Sequence, residues 1–266
     1  MPERAIGVFD SGVGGLTVLR ALRQHVPDES LVYLGDTARV PYGTKSSPTV
    51  MRYAHEAARF LLAQRVKLMV VACNTASAVA VDELIERYQV PVIGVILPGA
   101  KRALEMTRNG RIGVVGTEGT IRSGAYERAL QEFRPDIVVH TAACPLFVPI
   151  AEEGWSCHEV ARLAAHEYLA PLLDKGIDTL VLGCTHYPLL KNTLQEVVGP
   201  DVQLVDSAQE TAKAVKLRLE QDQLLQSPSA TQPPCYFVTD IPDRFIRVGG
   251  AFLGEQLRDV KTVVLD

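Results

Sequence analysis

The sequence predicts an α/β protein built of two similar α/β domains with mainly parallel sheets, related by a pseudo-two-fold axis. Three observations predict it. Short β-rich runs alternate with longer amphipathic stretches along the whole chain. Most of the strand-like runs are continuously apolar, as in parallel strands covered by helices on both faces. The chain also echoes itself: LLAQRVKLMVVACNTASAVAVDELIE (61–86) resembles LLDKGIDTLVLGCTHYPLLKNTLQE (172–196), and IGVFDSG (6–12) resembles IGVVGTEG (112–119). The offsets, 111 and 106 residues, nearly agree, so two units of about 110 residues each are expected.

Taken in order, AIGVF (5–9) is the first expected strand, and the Gly-rich turn DSGVGG (10–15) leads from it into the amphipathic helix TVLRALRQHV (17–26). LVYLG (31–35), LMVVA (68–72) and VIGVI (92–96) follow as further strands. The second unit opens on IGVVG (112–116) and continues through IVVHT (137–141) and the amphipathic helix VARLAAHEYLAPLL (160–173). TLVLG (179–183) and VQLVD (202–206) are its remaining strands. QSPSATQPP (226–234) reads as a surface connection before a last strand, CYFVT (235–239). The remainder after the second unit is expected to join the first.

At 266 residues the chain suffices for one large domain or two modest ones. A formal net charge of −4 argues against a nucleic-acid-binding surface or a membrane-surface helix. No run of 18 apolar residues occurs, and the N-terminus lacks the features of a signal peptide, so a cytoplasmic protein is expected. The five cysteines, Cys73, Cys144, Cys157, Cys184 and Cys235, are odd in number and scattered, which does not make a disulfide framework. No C-x-x-C or H-E-x-x-H occurs and the histidines miss metal-ligand spacings, so no metal is expected.

Ligands of open α/β sheets bind beyond the carboxyl ends of the strands. Cys73 and Cys184 fall at that edge, as do Asp10-Ser11, Asp36-Thr37 and Gly116-Thr117. A lone cysteine at a strand end is ordinarily a small buried hydrophobe. Two of them at equivalent places in a repeat, each followed by polar turn residues, point to chemistry. If the units face each other, one thiol approaches each face of a ligand. Inverting a stereocentre needs that arrangement, with one base to remove a proton and an acid opposite to return one. Helix starts at Asn74-Thr75 and at Thr185-His186-Tyr187-Pro188 are expected to lower the thiol pKa values and to hold a carboxylate.

The neighbouring residues admit two readings each. Asp10 suits an ammonium group or proton transfer at a thiol, or it is an ordinary helix N-cap. His186 tunes Cys184 or orients a carboxylate, or it is a turn histidine. Glu152 and Glu153 reach toward Cys184 or His186, or form a solvated pair. DSGVGG lacks the spacing of a phosphate loop. Cys144 and Cys235 read as strand or strand-edge packing, and Cys157 as part of a helix start.

Five motifs together, GVFDSGVGGLTV (7–18), YLGDTARVPYGTKS (33–46), VVACNTAS (70–77), CPLFVPIAEEG (144–154) and LGCTHYPLL (182–190), resemble the glutamate racemases of the cofactor-independent aspartate/glutamate racemase superfamily. The likeness runs over essentially the whole chain. It implies an enzyme, an isomerase supplying D-glutamate for peptidoglycan, with no cofactor and with glutamate as its small-molecule partner. It implies Cys73 and Cys184 as the two bases, acting on the D- and L-enantiomers respectively. Asp10 would support Cys73, and Glu152 and His186 would support Cys184. Asp10, Ser11, Tyr42, Gly43, Asn74, Thr75, Thr185 and His186 would contact substrate. The implied domains are 1–97 with 208–266, and 98–207, with the active site in the cleft between them. A homodimer is the implied assembly. The rivals are an aspartate or hydantoin racemase of the same two-cysteine kind, a cysteine hydrolase or transferase using one nucleophile, and a non-catalytic amino-acid-binding protein. His186 after the second Cys-Thr favours glutamate over aspartate.

Overall fold

The computed structural model describes residues 4–226 and 232–265. Its first sheet contains β1 (Ile6–Asp10), β2 (Leu31–Gly35), β3 (Leu68–Val71), β4 (Val92–Gly94), β9 (Cys235–Val238) and β10 (Val260–Thr262). The second contains β5 (Arg111–Gly116), β6 (Val138–Ala143), β7 (Thr179–Gly183) and β8 (Gln203–Asp206). Every strand pairing in both is parallel.

The sheets share one topology. The first runs β4-β3-β1-β2 and extends through β9 to β10; the second runs β8-β7-β5-β6. Adding four to each label of the first unit reproduces the second. Registers agree as well, with Ile6 beside Leu68 in one sheet and Ile112 beside Thr179 in the other. These are the same offsets of 106 and 111 that relate the two halves of the sequence. Cys73 and Cys184 thus follow equivalent strands, β3 and β7, next to the central strands β1 and β5.

Local sequence explains the elements. β1, β2, β3 and β7 are buried along their entire length, as continuous apolar runs require. The helix α1 (Leu16–His25) turns Leu16, Leu19 and Leu22 inward at helical spacing. The helix α8 (Glu159–Leu173) buries Ala161, Ala165, Leu169 and Leu172 on the second sheet. The helix α10 (Ser207–Gln221) places Ala208, Ala212, Val215 and Leu219 in the same core as α1.

Some expected elements differ. β10 was not anticipated, because its three residues, partly or fully exposed, carry no apolar run. The run at 92–96 stays a strand only to Gly94, and Ile96 opens the helix α4 (Ile96–Met106). The first residue of that helix is buried too, so hydrophobicity alone does not mark the junction. β6 reaches Ala143 rather than 141; as an edge strand it is only partly covered, which blurs its pattern. Cys235 begins β9 but is exposed, because the strand's buried residues are Tyr236 and Val238 on alternate positions. Cys144 is buried just past β6, and Cys157 is exposed two residues before α8 begins. The stretch 226–234 lies mostly outside the described residues.

Candidate active site

The carboxyl ends of the two sheets meet, and side-chain hydrogen bonds join them on two flanks. Thr185, after β7, donates from Oγ1 to Asp10 Oδ2 at 3.5 Å, while Thr17 Oγ1 donates to the Thr185 carbonyl at 3.1 Å. On the other flank, Thr75 Oγ1 lies 2.9 Å from Thr117 Oγ1 and 3.2 Å from Thr120 Oγ1. The Tyr126 hydroxyl, from the helix α6 (Ala125–Phe133), donates to Asn74 Oδ1 at 2.8 Å. Close approach here requires glycine. A Cβ on Gly14 would stand 2.3 Å from Thr185 Oγ1 and 2.5 Å from His186 Nδ1.

Cys73 and Cys184 face this region, each 5% exposed and each with its own polar neighbour. Cys73 Sγ lies 3.7 Å from Ser11 Oγ. Cys184 Sγ lies 3.8 Å from His186 Nδ1, and His186 Nε2 lies 3.0 Å from Glu152 Oε1. The thiols are near enough that the charge of Cys184 raises the proton affinity of Cys73.

Electrostatics separate the two sides. Burial, then the charge of Asp10, pushes the Cys73 thiol up to about 12. Burial likewise lifts the Asp10 carboxyl above the usual range, against the opposing charge of His186 and N–H bonds from Gly12 and Gly15. At His186, burial disfavours the imidazolium, yet hydrogen bonds to Cys184 and Glu152 outweigh it and raise the group to about 10. For Cys73 this corrects the expectation of a thiol lowered by a helix terminus. Cys73 does cap an α-helix, α3 (Asn74–Arg87), but desolvation exceeds what the helix terminus contributes. After Cys184 comes a short 3-10 turn, Tyr187–Leu190, and the α-helix α9 (Lys191–Val198) begins only at Lys191. Pro188 falls in that 3-10 turn, so the two cysteines have unlike local settings.

The chain belongs to the Asp/Glu/hydantoin racemase family. The family profile of that description matches residues 14–215. A glutamate racemase of Geobacter metallireducens is 57% identical over 266 residues, covering 100% of this chain and 98% of the relative. Among solved structures, glutamate racemase RacE1 of Bacillus anthracis superposes with a TM-score of 0.96 at 40% identity, covering 100% of this chain and 99% of its own. The Francisella tularensis glutamate racemase in complex with D-glutamate does so at 0.93 and 39%, with the same coverage. An aspartate racemase of Picrophilus torridus, 16% identical with a TM-score of 0.56, shares the fold.

The family fold brings the expected residues into one neighbourhood. Asp10 ends β1 and Ser11 follows it, Asn74 and Thr75 open α3, and Thr185 and His186 follow β7. Tyr42 and Gly43 form a 3-10 turn, with Gly43 packed on Thr117 and Gly119. The Tyr42 hydroxyl donates to Asp36 Oδ2, which also accepts from Arg39 Nε at 2.7 Å. Glu152, not Glu153, bonds His186. Asp10 is not the cap of α1, a position held by Gly15. Asn74 Nδ2 is buried without a hydrogen-bond partner, a donor suited to a carboxylate.

Sequence reasoning missed Tyr126, Thr120 and Arg244. Thr117 and Asp36 were placed at the carboxyl edge but given no role. Tyr126 and Arg244 carry no strand-end signal, since both lie on helices. Among the described residues no group of three or more His, Cys, Asp or Glu is arranged to hold a metal ion, and no helix is long and apolar enough to cross a membrane.

Proposed function

We propose that the chain interconverts L- and D-glutamate by moving a proton between opposite faces of the α-carbon, with Cys73 and Cys184 as the two acid/base groups. One observation carries the reading. Two thiols follow equivalent strands of two like-ordered sheets, each beside its own polar neighbour, Ser11 at Cys73 and His186 at Cys184, and near enough for the charge of one to act on the other. In the L-to-D direction the Cys184 thiolate takes the α-proton, and the electron pair of the broken C–H bond passes into the carboxylate as an enolate-like charge. The Cys73 thiol gives its proton to the other face. Cys184 is then the thiol and Cys73 the thiolate, and the reverse reaction exchanges their parts.

The other residues serve that charge. The Asn74 Nδ2 donor binds the substrate carboxylate, and the His186 imidazolium stabilises the negative charge that builds on it. Asp10 takes the α-ammonium beside Cys73, and the ammonium charge offsets the burial that holds the thiol at about 12. Ser11, Tyr42, Gly43, Thr75 and Thr185 border the substrate. Domains of 1–97 with 208–266, and of 98–207, are supported by the membership of the two sheets and by the core that α10 shares with α1. The product supplies peptidoglycan, and a cytoplasmic enzyme suits that supply.

A homodimer is supported by one groove. Ile85, Leu97, Phe133 and Leu217, each about half exposed, line a depression between α3, α4, α6 and α10. Its rim carries Asp82 and Glu132 against Lys101, Arg128 and Arg218, a mixture able to complement a second copy of itself. Light scattering reads the assembly directly.

L-glutamate incubated with the protein in D2O, without added pyridoxal phosphate or metal, is expected to lose its α-proton signal while optical rotation decays to zero. A binding protein would show neither change. Faster racemisation of aspartate would reassign the substrate.

A further inference from the structure

The Cys184 side of the cleft leans on a helix from the far end of the chain. Glu152 closes the helix α7 (Phe147–Glu152), between β6 and β7 of the second sheet. Its Oε1 meets His186 Nε2 at 3.0 Å, and its Oε2 accepts from Arg244 at 2.8 Å. Arg244 lies in the first turn of α11 (Pro242–Leu253), between β9 and β10 of the first sheet. The same helix sets Phe252 edge-on to the His186 ring, with centroids 5.1 Å apart and planes at 80°. Phe252 is fully buried. One helix therefore holds both members of the pair, the ring through Phe252 and the carboxylate through Arg244.

An exposed ion pair ordinarily contributes little. This one differs, because the Glu152 side chain is only 15% exposed while Arg244 is 67% exposed. The guanidinium closes the solvent side of a covered carboxylate whose other oxygen is already engaged. Each oxygen has a partner of its own, one following β7 and one on α11, which fixes the orientation of the carboxylate.

We infer that Arg244 is a positioning residue for proton transfer at Cys184, holding the Glu152 carboxylate in line with His186 across the cleft. The inference rests on the proposed two-base reaction. It adds an element of the first sheet's layer to the proton path of the second, so the alignment depends on the two sheets staying apposed. Burial works against the ionised Glu152, but His186 and then Arg244 hold its carboxyl below the ordinary range. The charged groups around it are His186 after β7, Arg244 on α11, and Glu153 beside it in the chain. Asp240, Asp243 and Arg247 line the same opening.

The test uses the full chain as wild type, Arg244→Gln and Arg244→Lys. Steady-state kinetics are run in both directions, with melting temperature and the Glu152 side-chain carboxyl carbon followed by NMR across pH. For Arg244→Gln, kcat is expected to fall roughly tenfold, the scale of a misplaced catalytic group. KM and melting temperature should change little, and Glu152 should titrate at higher pH. Arg244→Lys should restore most of kcat and return the titration toward wild type. Unchanged kcat would overturn the role, as would a loss confined to KM, which would make Arg244 a substrate-steering charge. A Glu152 titration that does not move in Arg244→Gln would also overturn it. Absence of racemisation by the wild-type chain would overturn the underlying reaction instead; the NMR titration is read independently of turnover.

Discussion

Thr185 Oγ1 reaches Asp10 Oδ2 at 3.5 Å, and this bond joins the carboxyl end of β7 to that of β1. It ties the residue after one thiol to the carboxyl that faces the other. Asp10 raises the proton affinity of Cys73, and its own carboxylate is stabilised by the charge of His186. The two acid/base groups are therefore electrically linked through the cleft, and a change on one side is felt on the other.

Cys73→Ala and Cys184→Ala are each expected to lower racemisation by about 10²- to 10⁴-fold, the contribution of a positioned acid or base. One base does not serve both faces. Circular dichroism of each variant should match wild type. Turnover near the wild-type rate in either would remove that cysteine from the reaction.

Stability is expected to fall as pH rises above neutrality. The folded Cys73 thiol titrates at about 12 against 9.0 for an unperturbed one, so between these values the folded chain keeps a proton that the unfolded chain loses. Cys73 alone contributes a slope approaching about 1.4 kcal/mol per pH unit there, and Cys144, whose thiol burial also raises, adds to it. His186, raised from 6.5 to about 10, acts in the same direction: its stabilisation is complete below about pH 6.5 and is lost as pH rises through about 10. Denaturant unfolding of wild type, His186→Asn and Cys73→Ala across this range checks both, Cys73→Ala being expected to reduce the upper slope. His186→Asn should lose the lower slope and keep the upper one, and a flat wild-type profile would contradict both assignments.

Gly14→Ala should damage catalysis more than folding. Its Cβ would fall within 2.5 Å of both Thr185 Oγ1 and His186 Nδ1, so these side chains must shift, and a shift of His186 disturbs its contact with Cys184. A loss of roughly ten- to a hundredfold in kcat is expected, with a stability cost of about 1–3 kcal/mol. Wild-type kcat in this variant would mean that His186 does not need its present seat.

Tyr126→Phe removes the hydroxyl that holds Asn74 Oδ1 and leaves its amide free to rotate. KM for glutamate should rise by up to about tenfold, matching the loss of one orienting hydrogen bond, while kcat changes little. A fall in kcat with unchanged KM would place Asn74 in the proton transfer rather than in binding.

Much of the fold was legible because its signals are local. Apolar runs marked the strands, and the offsets of 106 and 111 residues foretold two similar α/β units, which the structure gives one strand order. The cysteines were legible at strand ends for the same reason. Cys235 shows the limit: its strand was correct, but its exposure follows from which face of β9 the helices cover. The brief β10 and the early end of β4 were missed because neither boundary changes the local pattern.

The sequence by itself determined the repeated α/β plan and the placing of Cys73 and Cys184 on equivalent strands, since periodicity and composition act over a few residues at a time. Only the tertiary structure decided that Glu152 rather than Glu153 meets His186, and that Arg244, 92 residues further along, closes the same carboxylate. It also decided that Cys73 holds its proton tightly despite capping a helix. Partner choice and proton affinity depend on the surrounding atoms that exclude water, and those come together only when the two sheets are apposed.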